Sequence, residues 1–351
     1  MAGTDRCRVV FNALALQPQG TGVQTYAREL LAALVPEINA DLAAVVRSDA
    51  VDQLPRGVSP RLRWPGRGVL NLLQGARGLG PADLVHGLDV QIPARHKAPA
   101  VVTVHDLAVC DVPWAFSRRW VVGIRAAIGH AMRHADAVIA DSTFTADRIH
   151  DLYGREAIVI PLAPSSRLVR PKSDEISAVR RRYDLPSRFV LYVGTIEPRK
   201  DTVTLARACQ RARLPLILAG RLRRSSRPPS EGRMLGYVPE SDLPALYGAA
   251  SVTAYPSVYE GFGLPPLEAM ACAVPVVAYR IPPVEEVVAD AAVLTTPRDV
   301  DELAAALTAV VADEERRASL IRAGLAQVSR FNWAATAAST VRVYRSLDIA
   351  C

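Results

Sequence analysis

Two glutamates, Glu260 and Glu268, are separated by seven residues in a segment of glycine, proline and apolar side chains, YPSVYEGFGLPPLEAMA. Carboxylates are costly in apolar surroundings unless they are paired, so packing alone does not account for both. The run Gly261, Phe262 and Gly263 predicts a turn that opens a helix, with Glu260 just before the helix and Glu268 within its first two turns. Carboxylates at those points accept hydroxyl groups, while exposed N–H groups face phosphate oxygens. The segment predicts a site for a phosphorylated, hydroxyl-rich ligand.

A second pair of side chains suits a diphosphate. The predicted strand in LYVGTIEPRKD ends at Gly194, and Arg199 and Lys200 follow at a loop-to-helix junction. Arginine binds phosphate as a planar fork and lysine binds it as a point charge. The alternative is a solvated charge pair, which is disfavoured because cations are unfavourable near the positive end of a helix dipole.

Two other strand ends in the first half carry candidate residues. The segment QGTGVQTYARELL places Gly20 and Gly22 before a helix, where backbone N–H groups approach an anion. A simple turn is the alternative, and the full dinucleotide fingerprint is missing. The segment PAVVTVHD ends in His105 and Asp106, at the carboxyl end of a buried strand. His105 either binds a hydroxyl group and orients an acceptor, or belongs to the scaffold.

The elements that position these residues alternate between short β-branched runs and longer amphipathic stretches. This alternation is typical of βα units around a buried parallel sheet. It stops in the Pro/Ser-rich stretch near residue 170 and restarts with FVLYVG, so we predict a domain over 1–170 and another over 171–332. Helices are expected over about 118–134, 201–213 and from 299 onward. The final helix, within 333–351, can pack back on the first domain.

This organisation predicts the α/β class, with two doubly wound, Rossmann-like domains. The carboxyl ends of both sheets are expected to face a central cleft, because open α/β sheets bind ligands there. No apolar run is long enough for a membrane helix, and the start MAGTDRCRVVFN lacks a secretion signal, so we predict a cytoplasmic protein. The net charge of +7 is spread along the chain, which argues against a nucleic-acid partner.

Residues 54–80 are rich in arginine, contain no acid and include Trp64, Leu70, Leu72 and Leu73. One interpretation is a weak peripheral contact with an anionic membrane or with an acceptor. The other is a solvated Gly/Pro loop.

At this point the chain resembles the family-4 (GT4) retaining glycosyltransferases of the GT-B fold. The resemblance covers nearly the whole chain, and its motifs are EGFGLPPLE, VGTIEPRK, VTVHD, ADSTFTADRI and DAAVLTTPRDVDELAAAL. The EPRK form looks most like bacterial mannosyltransferase members. The resemblance implies a cytoplasmic, metal-independent hexosyltransferase with no cofactor, whose co-substrate is a nucleotide-sugar, with GDP-mannose as the expected donor. The expected acceptor is a glycan, a lipid-linked glycan or a small molecule.

The resemblance also implies roles for individual residues. Arg199 and Lys200 would bind the donor diphosphate, Glu268 the ribose and Glu260 the donor sugar beside the reacting carbon. His105 would lie near the sugar or the acceptor, with Asp106 on the acceptor side. The remaining donor contacts would come from Gly20, Gly22, Gly194, Gly236, Tyr237, Gly261, Phe262, Gly263 and Leu264.

Two other functions remain open from the sequence. A nucleotide-sugar epimerase on the same fold needs acids placed for elimination and addition of water, and we see no such extra cluster. A non-catalytic nucleotide- or glycan-binding protein would bind the nucleotide without turning over any donor.

Overall fold

The protein is described by a computed structural model, over residues 6–17, 22–66, 69–223 and 226–349. The chain divides into two compact units, the first formed by Met1–Leu162 together with Asn332–Cys351 and the second by Ala163–Phe331. The division follows Leu162, somewhat before the predicted position near residue 170, and the last helix belongs to the first unit.

In the described part of the first unit, seven parallel strands form one sheet in the order β3-β2-β1-β4-β5-β6-β7. The strands are β1 (Arg8–Asn12), β2 (Asp41–Arg47), β3 (Val58–Arg63), β4 (Leu84–Gly87), β5 (Ala100–Val104), β6 (Ala137–Ala140) and β7 (Ile158–Val159). The central strands β4, β5 and β6 are buried along their whole length. Their sequences are mostly apolar, as a parallel sheet covered on both faces requires, and the polar exceptions His86 and Thr103 are hydrogen-bonded.

The helices of the first unit cover this sheet. They are α1 (Gly22–Leu34), α2 (Val69–Gly75), α3 (Ala108–Asp111), α4 (Arg118–His134), α5 (Thr143–Tyr153) and, from the end of the chain, α13 (Trp333–Arg345). The predicted helix over 118–134 is confirmed by α4. The solvated-loop interpretation of residues 54–80 is wrong in part, because β3 and α2 lie within that stretch.

The second unit repeats the architecture over its described residues, with six parallel strands in the order β10-β9-β8-β11-β12-β13. These are β8 (Val190–Val193), β9 (Leu216–Ala219), β10 (Arg233–Gly236), β11 (Val252–Tyr255), β12 (Val276–Tyr279) and β13 (Val293–Thr295). The helices are α6 (Ser173–Arg182), α7 (Thr202–Ala212), α8 (Leu243–Ala249), α9 (Leu264–Ala271), α10 (Pro282–Val288), α11 (Val300–Ala312) and α12 (Glu314–Val328). The predicted α/β class, with two doubly wound sheets, is confirmed.

The strand order changes direction at one place in each sheet. In the first unit β1 has β2 on one side and β4 on the other, and in the second unit β8 lies between β9 and β11. The connections that start from the two strands at such a point cross opposite faces of the sheet. A crevice therefore opens between them, at the carboxyl ends of the two strands. Each unit therefore has its own switch point, between β1 and β4 and between β8 and β11.

A chain of buried polar groups attaches α13 to the first sheet. The Tyr344 hydroxyl lies 2.7 Å from His86 Nδ1, and His86 Nε2 lies 2.9 Å from Thr103 Oγ1. Thr103 Oγ1 is also 2.8 Å from the Tyr26 hydroxyl on α1. Burial lowers the pKa of His86 to about 3, so its ring is neutral at physiological pH. His86 is a scaffold residue that joins the end of the chain to β4.

Among the described residues, no helix combines the length and hydrophobicity needed to cross a bilayer.

Candidate functional site

The switch point of the second sheet brings the candidate cations and Glu260 together. After β8 the chain forms a short 3-10 turn, Pro198–Lys200, that carries Arg199 and Lys200. Glu260 follows β11, the neighbouring strand, at the same edge of the sheet. Residues 61 positions apart in sequence thus become neighbours, with Arg199 Nη1 donating to Glu260 Oε2 at 3.0 Å.

Both carboxylate oxygens of Glu260 are bound by cations. Arg199 donates to Oε2 and also to the Tyr259 carbonyl oxygen, at 2.8 Å. The Lys200 ammonium donates to Oε1 and lies 3.3 Å from the Tyr255 hydroxyl. Lys200 and Glu260 are both buried. The spacing in sequence predicted a cation pair and a carboxylate as separate features, whereas the fold makes them one ionic cluster.

The electrostatics of this cluster fix the charge of Glu260. Burial raises the pKa of the Glu260 carboxyl, but Arg199 and Lys200 outweigh burial and bring the pKa to about 2. Burial lowers the pKa of Lys200, and the neighbouring Glu260 opposes that shift. Glu260 is therefore an anion at neutral pH.

A third acid, Glu197, belongs to this cluster and was not among the predicted residues. Glu197 is buried, its Oε1 forms an ion pair with Arg199 Nε at 2.7 Å, and its Oε2 accepts a hydrogen bond from Arg223. Glu197 thereby pairs with Arg199 at Nε, whereas Glu260 pairs with it at Nη1. The signal was available, because Glu197 is the acid of the EPRK segment that supplied Arg199 and Lys200.

Gly194 directly follows β8, where the chain closely approaches the end of β9. A Cβ at Gly220, the residue after β9, would lie 1.8 Å from the Gly194 carbonyl oxygen. Both residues have a positive φ, 146° for Gly194 and 152° for Gly220, which disfavours any other residue. These two glycines let the loop that carries Arg199 leave the sheet edge at this angle.

Glu268 lies in the second turn of α9, as predicted, and has a different environment from Glu260. The Tyr247 hydroxyl donates to Glu268 Oε2 at 2.9 Å. Burial raises the pKa of Glu268 to about 6, partly offset by the hydrogen bond from Tyr247 and increased by the negative charge of Glu240. Gly263 caps the helix with a φ of 118°, a conformation that glycine adopts without strain.

The other predicted donor contacts differ in their exposure. Phe262 and Leu264 are buried, and the Phe262 ring packs edge-on against Phe331 with centroids 6.0 Å apart, so these side chains serve packing. Gly236 ends β10 with a φ of 70°. Tyr237 follows it on the surface, with the Arg221 guanidinium 5.3 Å from the ring centroid. Tyr237 thus presents an aromatic face beside a cation.

In the first unit, His105 follows β5 and pairs with Asp141, which follows the adjacent strand β6. His105 Nδ1 lies 2.6 Å from Asp141 Oδ2, and Nε2 lies 3.0 Å from the Leu88 carbonyl oxygen. A carbonyl oxygen only accepts, so Nε2 carries a hydrogen and the proton at Nδ1 is shared with Asp141. For His105 to bind a ligand hydroxyl through a ring nitrogen, as predicted, its hydrogen bond to Asp141 or to the Leu88 carbonyl oxygen must therefore break.

The charges around His105 also come from the ends of neighbouring strands. Burial lowers the pKa of His105, but Asp141 and Asp89, which follows β4, outweigh burial and raise the pKa to about 9. Burial raises the pKa of Asp141 and of Asp89. Asp106 Oδ1 accepts from the N–H of Ala108, the first residue of α3, at 3.0 Å. Asp141 and Asp89 were missed, although Asp141 is the first residue after β6 and Asp89 the second after β4.

Buried amide groups lie at the switch point of the first sheet. Asn12, the last residue of β1, donates from Nδ2 to the Gly75 and Gln91 carbonyl oxygens at 3.3 and 3.2 Å. Within the described residues, the side-chain oxygens of Asn71, Gln74 and Gln91 are buried and accept no hydrogen bond. Amide oxygens in such positions suit a ligand rich in hydroxyl groups.

Of the two glycines of the first unit that were predicted to contact the donor, the structure describes one. Gly22 is the first residue of α1 and is exposed, whereas Gly20 lies outside the described residues. In the second unit Arg199, Lys200 and Glu260 meet at the switch point, whereas Glu268 lies on α9 and Gly236 and Tyr237 lie at the end of the edge strand β10. The described candidates of the first unit lie at the carboxyl edge of its own sheet. No group of three or more His, Cys, Asp or Glu side chains in the described ranges could hold a metal ion.

Family models match both units. The model described as Glycosyltransferase Family 4 matches residues 20–163, and the model described as Glycosyl transferases group 1 matches residues 175–327. O-antigen chain mannosyltransferase B of Escherichia coli is 35% identical over 287 residues, which cover 75% of this chain and 74% of that protein.

Solved structures share the fold at lower identity. Sucrose-phosphate synthase of Thermosynechococcus elongatus superposes with a TM-score of 0.78 at 21% identity, over 99% of this chain and 100% of that one. Anabaena HepE, in a complex with UDP and glucose, gives a TM-score of 0.76 at 21% identity, over 97% of this chain and 100% of that one.

Proposed function

This chain belongs to glycosyltransferase family 4 and is a glycosyltransferase of the GT-B fold, and from that premise we propose that it is a retaining mannosyltransferase of the cytoplasm. Its donor is GDP-mannose, and its acceptor is a hydroxyl group of a glycan or lipid-linked glycan. Mannose is supported by the name of the Escherichia coli relative, O-antigen chain mannosyltransferase B.

The observation that carries the proposal is the ionic cluster at the switch point of the second sheet. Arg199 and Lys200 lie on one turn, and both are directed at the same carboxylate, Glu260. A diphosphate offers two anionic groups to the same pair of cations, the fork of arginine and the point charge of lysine. These cations stabilise the charge that develops on the leaving diphosphate as the glycosidic bond breaks.

Glu260 has a second task once the donor is bound. The diphosphate competes with the Glu260 carboxylate for Arg199 and Lys200, because both cations bind that carboxylate directly. The displaced carboxylate then accepts hydrogen bonds from the donor sugar. Glu268 binds the ribose hydroxyls from α9, and Tyr237 provides an aromatic face for the base.

The first unit binds the acceptor. Its amide oxygens of Asn71, Gln74 and Gln91 are acceptors for sugar hydroxyl groups, and the imidazolium of His105 is held by Asp141 near the same sheet edge. In this proposal the acceptor hydroxyl attacks from the face that the leaving group vacates, and the leaving phosphate takes its proton. Positioning and electrostatics supply most of the rate enhancement.

Retention and metal independence each have a direct test. The anomeric configuration of the product, read by NMR, should match that of the donor, and inversion would contradict the mechanism. Transfer should persist after EDTA treatment, because Arg199 and Lys200 supply the positive charge that a divalent cation would otherwise provide. Loss of activity with EDTA and its recovery with Mg²⁺ or Mn²⁺ would contradict metal independence.

The donor is tested by a screen of GDP-, UDP-, dTDP- and ADP-sugars for slow hydrolysis and for transfer. We expect turnover with GDP-mannose above all others. Preference for UDP-glucose would replace the proposed donor while leaving the transferase assignment intact. Conversion of a nucleotide-sugar to its epimer without acceptor would favour the epimerase, and binding without turnover of any donor would favour a non-catalytic protein.

A further inference from the structure

Two loops at the carboxyl edge of the second sheet are joined to each other beyond the ends of their strands. We call residues 194–201, which follow β8, the β8 loop, and residues 220–223, which follow β9, the β9 loop. Ile196 of the first forms a parallel bridge with Leu222 of the second, and Ile196 makes two backbone hydrogen bonds across it, of 2.8 and 3.0 Å. The pairing of β8 with β9 therefore continues into the loops that follow them.

The Glu197 side chain also links the two loops. Its Oε1 forms an ion pair with Arg199 Nε at 2.7 Å within the β8 loop, and its Oε2 accepts a hydrogen bond from Arg223 of the β9 loop. The Glu197 side chain is only 6% exposed, whereas the Arg223 side chain is 31% exposed. Each carboxylate oxygen of Glu197 already binds an arginine, so we expect Glu197 to act on Arg199 and not on a ligand.

A buried carboxylate at this position carries two costs. The β8 loop supplies the two cations that we propose for the donor diphosphate, and the negative charge of Glu197 beside them repels an anionic ligand. Removing a carboxylate from water is also unfavourable unless the charge is paired. A neutral side chain of similar size would avoid both costs. The contact of Glu197 with Arg199 offers the compensating benefit.

Contacts at two different nitrogens orient the Arg199 guanidinium. Nη1 donates to Glu260 Oε2 at 3.0 Å and to the Tyr259 carbonyl oxygen at 2.8 Å, whereas Nε pairs with Glu197. In the proposed function the diphosphate displaces Glu260, but the Tyr259 carbonyl oxygen and Glu197 stay in place. A guanidinium is planar, so contacts at two of its nitrogens fix the plane of the group. Loss of the Nε contact would remove one of these two points.

We propose that Glu197 is a positioning residue for sugar transfer, which keeps the Arg199 guanidinium aligned with the leaving diphosphate while Glu260 turns to the donor sugar. Arg223 holds Glu197 in place from the β9 loop. This inference rests on the proposed function, because that function assigns Arg199 to the diphosphate. The alternative is that Glu197 only joins the two loops, in which case its effect on catalysis would not depend on Arg199.

The test is a double-mutant cycle on steady-state turnover, measured with GDP-mannose or with whichever donor the screen described above identifies. Glu197→Ala should lower kcat by about 30-fold, which is less than the loss that a displacement of about 1 Å can cause. In an Arg199→Ala background the same substitution should lower kcat by less than about twofold, because the group that Glu197 aligns is gone. An equal loss in both backgrounds, or no loss in the first, would overturn the proposal.

Nucleotide affinity distinguishes a failure of this inference from a failure of the proposed function. Glu197→Ala should change the Kd of GDP by less than about threefold, because loss of the repelling carboxylate opposes loss of alignment. Arg199→Ala is the reference variant. If Arg199→Ala leaves kcat and GDP affinity unchanged, the assignment of Arg199 to the diphosphate is wrong. If Arg199→Ala lowers both and Glu197→Ala lowers neither, only the positioning role of Glu197 is wrong.

Milder variants keep the test valid if Glu197→Ala folds poorly. Glu197→Gln is close in size and keeps an oxygen for Arg199 Nε, so kcat should fall by less than about fivefold. Arg223→Gln removes the partner that holds Glu197, and kcat should fall by about fivefold. The matched controls are Glu231→Ala and Arg227→Gln, which alter exposed side chains of the same unit and should leave kcat unchanged. A loss in Glu197→Gln as large as in Glu197→Ala, or equal losses in Arg223→Gln and Arg227→Gln, would overturn the proposal.

Discussion

Glu260 is held by the same two cations that we propose for the donor diphosphate. Arg199 and Lys200 bind one carboxylate oxygen each, and all three side chains are largely removed from water. Removing one partner of a buried ion pair leaves the other charge unpaired, which costs about 3–5 kcal/mol. The Glu260 carboxylate therefore stabilises Arg199 and Lys200 when no ligand is bound. It also competes with any anionic ligand for these two cations.

This competition gives opposite expectations for two substitutions. Glu260→Gln should lower kcat by at least about 100-fold, because it removes the contact to the donor sugar. The same variant should bind GDP as tightly as wild type or more tightly, since the competing anion is gone. Lys200→Ala should weaken GDP far more than guanosine. Isothermal titration with both ligands checks these results, and weaker GDP binding by Glu260→Gln would contradict the competition.

Glu268 should make donor binding depend on pH. Burial raises its pKa to about 6, so the carboxyl is mostly protonated at pH 5 and ionised at pH 7. A carboxylate accepts two ribose hydroxyls, so donor affinity should rise as pH increases through about 6, and Glu268→Gln should remove this rise. The ligand must be a nucleotide-sugar, because the terminal phosphate of a free nucleoside diphosphate itself titrates near pH 6.

The contribution of Glu268 to folding stability changes with pH in the opposite direction to its contribution to donor affinity. Its folded pKa lies above the ordinary value of 4.5, so the stability it contributes is fully present below pH 4.5 and is lost as pH rises through about 6. A rise in donor affinity that persists in Glu268→Gln would assign the titration to another group.

Individual residues were predictable from the sequence where a strand end and an unusual residue type coincided. Glu260, Arg199, Lys200 and His105 all met that condition. Their partners were not predictable in the same way, because Asp141 meets His105 only through the pairing of β5 with β6. The direct contact of Glu260 with the cations likewise depends on the pairing of β8 with β11, which local sequence does not encode.

At the scale of elements, α13 is attached to the first sheet by polar as well as apolar contacts. Thr336 donates to the Pro161 carbonyl oxygen at 2.8 Å near one end of α13, and Tyr344 meets the buried His86 near the other. Buried polar groups without a partner are costly, so each of these bonds favours one position of the helix.

Tyr344→Phe should therefore lower the free energy of unfolding by about 1–3 kcal/mol, because His86 Nδ1 would lose its partner in the core. Urea denaturation followed by tryptophan fluorescence measures the change. Tyr237→Phe is the matched control, since that side chain is exposed, and should alter stability by less than about 0.5 kcal/mol. An effect in Tyr344→Phe no larger than in this control would contradict a stabilising role of the Tyr344–His86 bond.

Central and edge strands differed in how well the sequence predicted them. The interior strands are short, mostly apolar runs, and all of them were recognised. The strands β3, β10 and β13 were missed, and all three lie at an edge of their sheet. An edge strand is partly exposed, so β3 tolerates Pro60, Arg61 and Arg63 within six residues. The short helix α2 was missed because its seven residues contain only about two turns of the helical pattern, which is too short for a clear periodicity.

At the scale of the whole molecule, each unit has its own sheet, its own core and its own switch point. The proposed donor contacts with described structure lie mainly in the second unit, at the ends of β8, β10 and β11. A ligand that binds one folded unit stabilises that unit by mass action and leaves the intrinsic stability of the other unchanged. The sequence predicted the doubly wound pattern of each half. It only allowed, and did not require, that the last helix return to the first unit.

Hydrogen exchange can therefore assign the donor site to a unit. With GDP at about 100 times its Kd, the buried amides of β8 and β11 should exchange about 100-fold more slowly, which corresponds to about 2.7 kcal/mol of added stability. The buried amides of β4 and β5 should change little, because their exchange requires unfolding of the first unit. Lys200→Ala should remove most of the protection at the same GDP concentration. Protection confined to β4 and β5 would place the nucleotide in the first unit and contradict the assignment of Arg199 and Lys200 to the diphosphate.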